Sequence, residues 1–401
     1  IDYDRWYGSL WDNLSKEQKL ETFFVPTLVL TPFKDIISLY KRAQLNVRNY
    51  IFKENYITLK DVIFAFGYKK RVKRIKIDKI SLLGYELSSL VEEELNNNSD
   101  INTIIESILT YRFIDRFQKA GKNVRLAIDW FEGQALDKAW NMGFNNYFPN
   151  TKKIGYRPTE SFPIYLSSYP IPIEREAHVI PDVMALQAKG TVFTVKEFLP
   201  NLDTILIPSF KSQYVWEFKE NKLSQSKYMV LVTLPISINY SILIINRLIK
   251  VCNEISIKNN QIKLLVKPHP TQSLIKIKNN LPELPKYITL TKEKSFVKLL
   301  SSANLLITEA SSTCLEAMAC GIPVIMMENE EGLTYDPIPN RVSEKLYRKV
   351  RTQDHLIQAL KYFIKLTPEN MKQQQIEYER VREDYFEPMT QEGINRFLDT
   401  Y

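Results

Sequence analysis

The clearest structural signal in this chain is Leu305-Leu306-Ile307-Thr308-Glu309-Ala310-Ser311-Ser312-Thr313, continuing into Cys314-Leu315-Glu316-Ala317-Met318-Ala319-Cys320-Gly321-Ile322-Pro323-Val324. A continuous apolar run reads as a strand buried on both faces, and it ends at Thr308. Small hydroxyl residues fill the turn, a helix begins near Ser312, and Gly321 closes it before a second apolar run. Such a turn aims amide N–H groups, three hydroxyls and a positive helix end away from the carboxyl edge of the sheet, where an anion such as phosphate binds. For this stretch alone, ordinary N-capping by Ser or Thr is the simpler account.

One strand upstream, the run 262–267 ends in Lys267-Pro268-His269-Pro270. The flanking prolines restrict the backbone and turn the imidazole outward, where it can donate to a phosphate oxygen or protonate a departing one. A rigid turn with a packed histidine is the plain alternative. Two such motifs at successive strand ends of one sheet are more specific than either alone. The surrounding pattern supports that sheet: strands are expected at 228–234, 262–267, 287–290, 304–308 and 322–327, with helices at 236–257, 295–302 and 312–320. Regular alternation of this kind predicts a parallel sheet covered on both faces. Upstream, 101–120 has helical periodicity after a polar break at 96–100. A buried strand is expected at 124–128, and strand-rich sequence runs on to 204–208. The charged segment 217–227 reads as a linker, and 353–399 as mostly helical with Pro368 and Pro388 as punctuation.

The chain is 401 residues long. Single cores stop growing at roughly 250–300 residues, so two domains are expected. With 44% hydrophobic and 25% charged residues the composition is globular. Three cysteines (Cys252, Cys314, Cys320) and three histidines (His178, His269, His355) exclude a disulfide framework and a Cys/His zinc cluster, and fit a reduced, cytoplasmic compartment. The 54 Lys and Arg outnumber the 46 Asp and Glu, giving +8 and a pI near 9.0, which suits an anionic partner. No RNP-like or zinc-finger signature points to nucleic acid. No apolar run approaches the ~18 residues of a membrane span. The chain opens at Ile1 without Met, as a piece of a longer protein would.

Lys-Pro-His-Pro followed by Ser-Ser-Thr and Glu-Ala-x-x-x-Gly-x-Pro resembles the carboxyl-terminal domain of GT-B glycosyltransferases. In particular it resembles the HP and serine motifs of bacterial enzymes that use CMP-activated acidic sugars: polysialyltransferases and the Kdo transferases of capsule and O-antigen. About 60 residues carry the likeness. It implies that Lys267, His269, Ser311, Ser312 and Thr313 hold the CMP phosphate, with Glu316 on the ribose hydroxyls. The implied fold is α/β: two Rossmann-like, doubly wound domains facing a cleft, with a C-terminal helical tail. Residues 1–222 would bind acceptor and 223–365 the nucleotide sugar, with 366–401 packing back on the first domain.

In the first half, Asp129-Trp130-Phe131-Glu132-Gly133-Gln134 follows a strand and opens a helix. A carboxylate against aromatic walls has its pKa raised by desolvation, which suits a general base. Phe-Glu-Gly also resembles the acidic-acidic-glycine motif of bacterial sialyltransferases, with Phe131 in place of the first acid, so the catalytic role stays open between Asp129 and Glu132. An acidic helix start stabilised by the dipole is the alternative. Gln134, Arg157 and Lys211 are candidates for sugar or acceptor binding. Asp182 and Asp203 are further carboxylates without a motif. Residues 68–79 (YKKRVKRIKIDK) suit anionic lipid or glycan, or simply a solvated face.

The resemblance implies transfer of Kdo or another ulosonic acid from a CMP-activated donor to a lipid-linked or oligosaccharide acceptor, in lipopolysaccharide O-antigen or capsule synthesis. It implies a cytoplasmic enzyme in peripheral contact with the inner membrane and fused to other glycosyltransferase domains, needing neither cofactor nor metal. CDP-glycerol or a UDP- or GDP-sugar is the near alternative donor. A non-catalytic nucleotide- or RNA-binding protein is the distant alternative.

Overall fold

The computed structural model describes residues 4, 6–27, 33–96, 101–158, 166–219, 227–254, 262–329, 332, 334 and 336–399. Most of the segment read as a linker, the boundary at 222/223 and four residues of the polar break at 96–100 lie outside the described residues.

Helices α1 (Leu10–Asn13), α2 (Leu59–Phe66), α3 (Tyr68–Val72), α4 (Ser88–Asn96) and α5 (Ile101–Lys119) precede a four-stranded parallel sheet. Its strands are β1 (Leu126–Trp130), β2 (Lys152–Arg157), β3 (Val183–Leu186) and β4 (Asp203–Leu206), ordered β1-β2-β3-β4. α6 (Ala135–Tyr147) follows β1 and packs with α5 over one face, where Ala127 meets Phe113, Ile114 and Phe144. Alternation sends Ile154, Tyr156 and Ala185 to the other face, onto Leu10 and Trp11 of α1. α2 is fastened to α5 by Asp61, whose buried carboxylate accepts from Arg112 at 2.8 Å and Arg116 at 2.9 Å.

After α7 (Tyr214–Glu217), a six-stranded parallel sheet is built from β5 (Tyr228–Thr233), β6 (Ile262–Lys267), β7 (Ile288–Leu290), β8 (Leu305–Thr308), β9 (Val324–Met327) and β10 (Tyr347–Val350). Its order, β7-β6-β5-β8-β9-β10, is that of a doubly wound dinucleotide-binding sheet, and the winding reverses between β5 and β8. Val230, Val232, Val266, Leu305 and Ile307 face α8 (Ile238–Glu254) and, from beyond the sheet, α10 (Gln353–Ile364). Leu231, Leu306 and Met326 face α9 (Thr313–Ala319) and α11 (Pro368–Tyr385). Burial on both faces is why β8 and β9 are continuous apolar runs rather than alternating ones. α12 (Gln391–Phe397) returns to the first sheet, where Ile394 and Phe397 join Tyr156 and Phe210.

Candidate functional site

At the reversal point three strand ends share one register. Thr233 of β5 pairs with Lys267 of β6 and with Thr308 of β8. All three continue the face that α9 covers. The Thr233 hydroxyl is shielded from solvent and has no partner among the described residues. Partial burial lowers the Lys267 ammonium's pKa below the ordinary lysine value.

Just past β6, the His269 Nδ1 accepts from the Thr271 amide at 3.3 Å and lies 2.7 Å from the Thr271 hydroxyl. An Nδ1 that accepts places the proton of the neutral ring on Nε2, the correct tautomer for donating to an anion. Past β8, the Ser311 hydroxyl accepts from the Thr313 amide at 3.3 Å and from the Thr313 hydroxyl at 3.0 Å. Ser311 therefore does the local capping. Ser312 has helical backbone angles and makes no capping bond through its side chain. Glu309 in the same turn is half-buried, and burial raises its carboxyl pKa.

Ser312 and Glu316 face a cleft between the two sheets. Its opposite wall carries Pro158, Gln187, Thr191, Lys211 and Ser212, with Pro337, Tyr385 and Phe386 completing it. The cleft is open to solvent. Glu316 accepts a hydrogen bond from the Tyr214 hydroxyl of α7. Gln187 Oε1 is buried and unpartnered among the described residues, an acceptor without a donor in a cleft wall. Lys267, His269, Ser311 and Thr313 border the turn without lining the cleft, and Asp129, Glu132, Gln134 and Arg157 are also outside the lining.

Those last four belong to the carboxyl edge of the first sheet. Asp129, next to last in β1, has Oδ2 accepting from Asn141 at 3.0 Å, while Oδ1 is shielded from solvent and unpartnered among the described residues. Burial pushes the Asp129 carboxyl well up, and the charge of Asp137 adds to it. Asp137, in the first turn of α6, accepts from the amides of Glu132 at 2.8 Å and Gln134 at 3.0 Å. Burial nevertheless pushes its carboxyl up to about 6. Glu132 is half-buried and accepts from Gln134 Nε2 at 2.9 Å. Arg157 is buried at the end of β2 and donates to the Ser168 carbonyl. Asp182 accepts from the Lys153 ammonium at 2.9 Å, a bond that belongs to the sheet rather than to the cleft.

Sequence reading missed Asp137, Asn141, Thr233, Gln187, Tyr214 and Glu309. Asp137 and Asn141 carry the i, i+3 and i, i+7 spacing from Gln134 of an ordinary helix start, so only burial distinguishes them. Tyr214 lies 102 residues before Glu316 with four strands between them, and no local signal links them. Among the described residues no group of three or more His, Cys, Asp or Glu could hold a metal ion, and no helix is long and apolar enough to cross a membrane.

The fold and the cleft define a GT-B architecture: two Rossmann-like sheets with a site between them at their carboxyl edges. Solved structures of this shape include the N-terminal domain of trehalose-6-phosphate phosphatase from Candida albicans, at 12% identity and TM-score 0.52, covering 99% of this chain and 93% of that one. The glycosyltransferase of kitacinnamycin is similar at 10% identity and TM-score 0.51, covering 86% and 85%. A UDP-forming α,α-trehalose-phosphate synthase from Burkholderia xenovorans matches at 9% identity and TM-score 0.50, covering 86% of each chain. At these identities the likeness is one of fold. No family model matches the chain, and no curated protein is similar to it in sequence.

Proposed function

We propose that this chain is a glycosyltransferase that transfers a sugar from a nucleotide donor, CMP-linked Kdo or a related ulosonic acid, to a glycan acceptor of a bacterial surface polysaccharide. The observation that carries this reading is the cleft, where Ser312 and Glu316 of a doubly wound sheet face Lys211 and Gln187 of the other half. On this reading residues 223–365 hold the nucleotide, and 1–222 with the returning tail receive the acceptor. Glu316 exchanges its bond from Tyr214 for the ribose hydroxyls. The hydroxyls of Ser311, Ser312 and Thr313, the Lys267 ammonium and the His269 Nε2–H surround the phosphate, offsetting its charge without a metal ion. His269 protonates the leaving phosphate while Lys211 meets the carboxylate of the donor sugar. Asp129 or Glu132 takes the proton of the attacking acceptor hydroxyl.

The test is thermal unfolding of the whole chain with CMP, UMP, UDP, GDP or a short RNA. CMP at a hundred times its dissociation constant adds about 2.7 kcal/mol of stability. His269→Ala weakens that response and lowers turnover on the order of 10²–10⁴-fold. A shift with UDP or GDP and none with CMP replaces the donor, and the UDP-forming structural relative makes this the second reading. A response to RNA alone overturns the enzyme reading.

A further inference from the structure

Residues 81–86 form a hairpin whose tip breaks two rules of fold design. The strands Ser81–Leu82 and Tyr85–Glu86 pair antiparallel, with Leu82 opposite Tyr85, so Leu83-Gly84 is a two-residue turn. Both turn residues have positive φ, +51° for Leu83 and +85° for Gly84, the geometry that favours Asn-Gly or Gly-Gly. A branched leucine in the left-handed region is strained. Burial does not compensate: Leu83 is 89% exposed, Tyr85 74% and Leu82 62%. An unfavourable residue in an unfavourable place, with nothing gained in the core, marks a functional surface.

The same segment carries a second exposed apolar row. On α2, Asp61 and Ala65 are buried towards α5, while Leu59, Ile63 and Phe66 on the opposite side are 73%, 64% and 65% exposed. Between helix and hairpin, residues 69–79 hold seven Lys or Arg against one acid, Asp78. All but Arg71 of those cations are exposed, and Arg71 lies over the Phe64 ring at 3.8 Å. The charge changes sign at α4, whose Glu92, Glu93 and Glu94 mark the limit of the basic stretch.

We propose that residues 59–85 form a docking surface for an anionic lipid bilayer, with Leu82, Leu83 and Tyr85 entering the interface and the cations of 69–79 on the headgroups. Apolar tips bordered by cations complement a surface that is apolar beneath a layer of negative charge. A soluble acidic partner would use the cations and leave the leucines in water. The inference is independent of the donor chemistry proposed above, because it is read without nucleotide.

Co-sedimentation of the full chain with vesicles of phosphatidylcholine alone, or with phosphatidylglycerol added, tests it. The anionic vesicles should bind the chain, and added salt should release it. Leu83→Asn suits the turn better than leucine does, so the fold is kept, and affinity should drop about tenfold to a hundredfold through loss of one buried side chain. Replacing Lys73 and Lys76 together by Gln should lower it about twenty-five-fold, at roughly fivefold per cation. Equal binding to both vesicle types, unchanged binding of Leu83→Asn, or binding to an acidic polysaccharide but not to vesicles overturns the proposal.

Discussion

Asp137 is the residue on which the chemistry of the first sheet turns. Its carboxyl is pushed up to about 6 by burial, against two amide hydrogen bonds, while an unfolded aspartate titrates near 3.9. Between about pH 4 and 6 the folded chain therefore holds a proton that the unfolded chain has released, so stability falls as pH rises through that window. Asp129, raised in the same direction, adds to the loss. The two carboxyls titrate as a pair. Denaturant unfolding across the window should show this fall, and Asp137→Asn should flatten much of it; an unaltered slope would place the responsible group elsewhere. Turnover separates the catalytic candidates. Glu132→Gln inactive with Asp129→Asn active assigns the base to Glu132, and the reverse assigns it to Asp129. The pair Asp129 and Glu132 was legible in sequence because a strand end, two aromatics and a glycine surround it. Asp137 was not, because an acid in the first turn of a helix ordinarily faces solvent and serves the dipole.

At the level of elements, the turn from β1 into α6 depends on Gly133. Its φ is +75°, and a Cβ there would stand 1.8 Å from the Ser167 carbonyl oxygen. The next residue, Ser168, supplies the carbonyl that holds Arg157, so side-chain bulk at 133 pushes directly on that buried guanidinium. Gly133→Ala should cost more than the roughly 1–3 kcal/mol of backbone strain alone. Hydrogen exchange would show faster opening at β1 and β2, with the second sheet unaffected; a variant as stable as wild type would mean that 167–168 moves away freely. Strands β5, β8 and β9 were readable as apolar runs, and β6 because Leu264, Leu265 and Val266 stand together between Lys263 and Lys267. β10, Tyr-Arg-Lys-Val, escaped notice. It is an edge strand whose adjacent Arg348 and Lys349 are half-exposed between buried Tyr347 and Val350, so neither an apolar run nor alternation marks it.

Across the whole molecule, the chain passes between the two cores twice. The first passage lies between Phe210 and Val215, and the second between Phe386 and Met389. The passages touch, with the Ser209 amide donating to the Glu387 carbonyl at 3.0 Å. Helical periodicity reveals α12 but not which sheet it covers, and the expectation that 366–401 pack back on the first domain came from the resemblance alone. Phe397 is fully buried, with its ring 5.5 Å from Tyr156 and 5.3 Å from Phe210. Phe397→Ala should cost about 3–5 kcal/mol. Amide exchange should quicken in β2 and β3, far away in sequence, before it does in β5 and β8; loss confined to α12 would show that the helix is dispensable. The placement of α12 also sets an order of events at the ribosome. The last strand of the first sheet ends at Leu206, and the helix that closes its core ends at Phe397, about 190 residues later. At 5–20 residues per second, the first half waits roughly ten to forty seconds for its final layer, exposing Tyr156 and Phe210 meanwhile. The half of the chain that is made first is the half that is finished last.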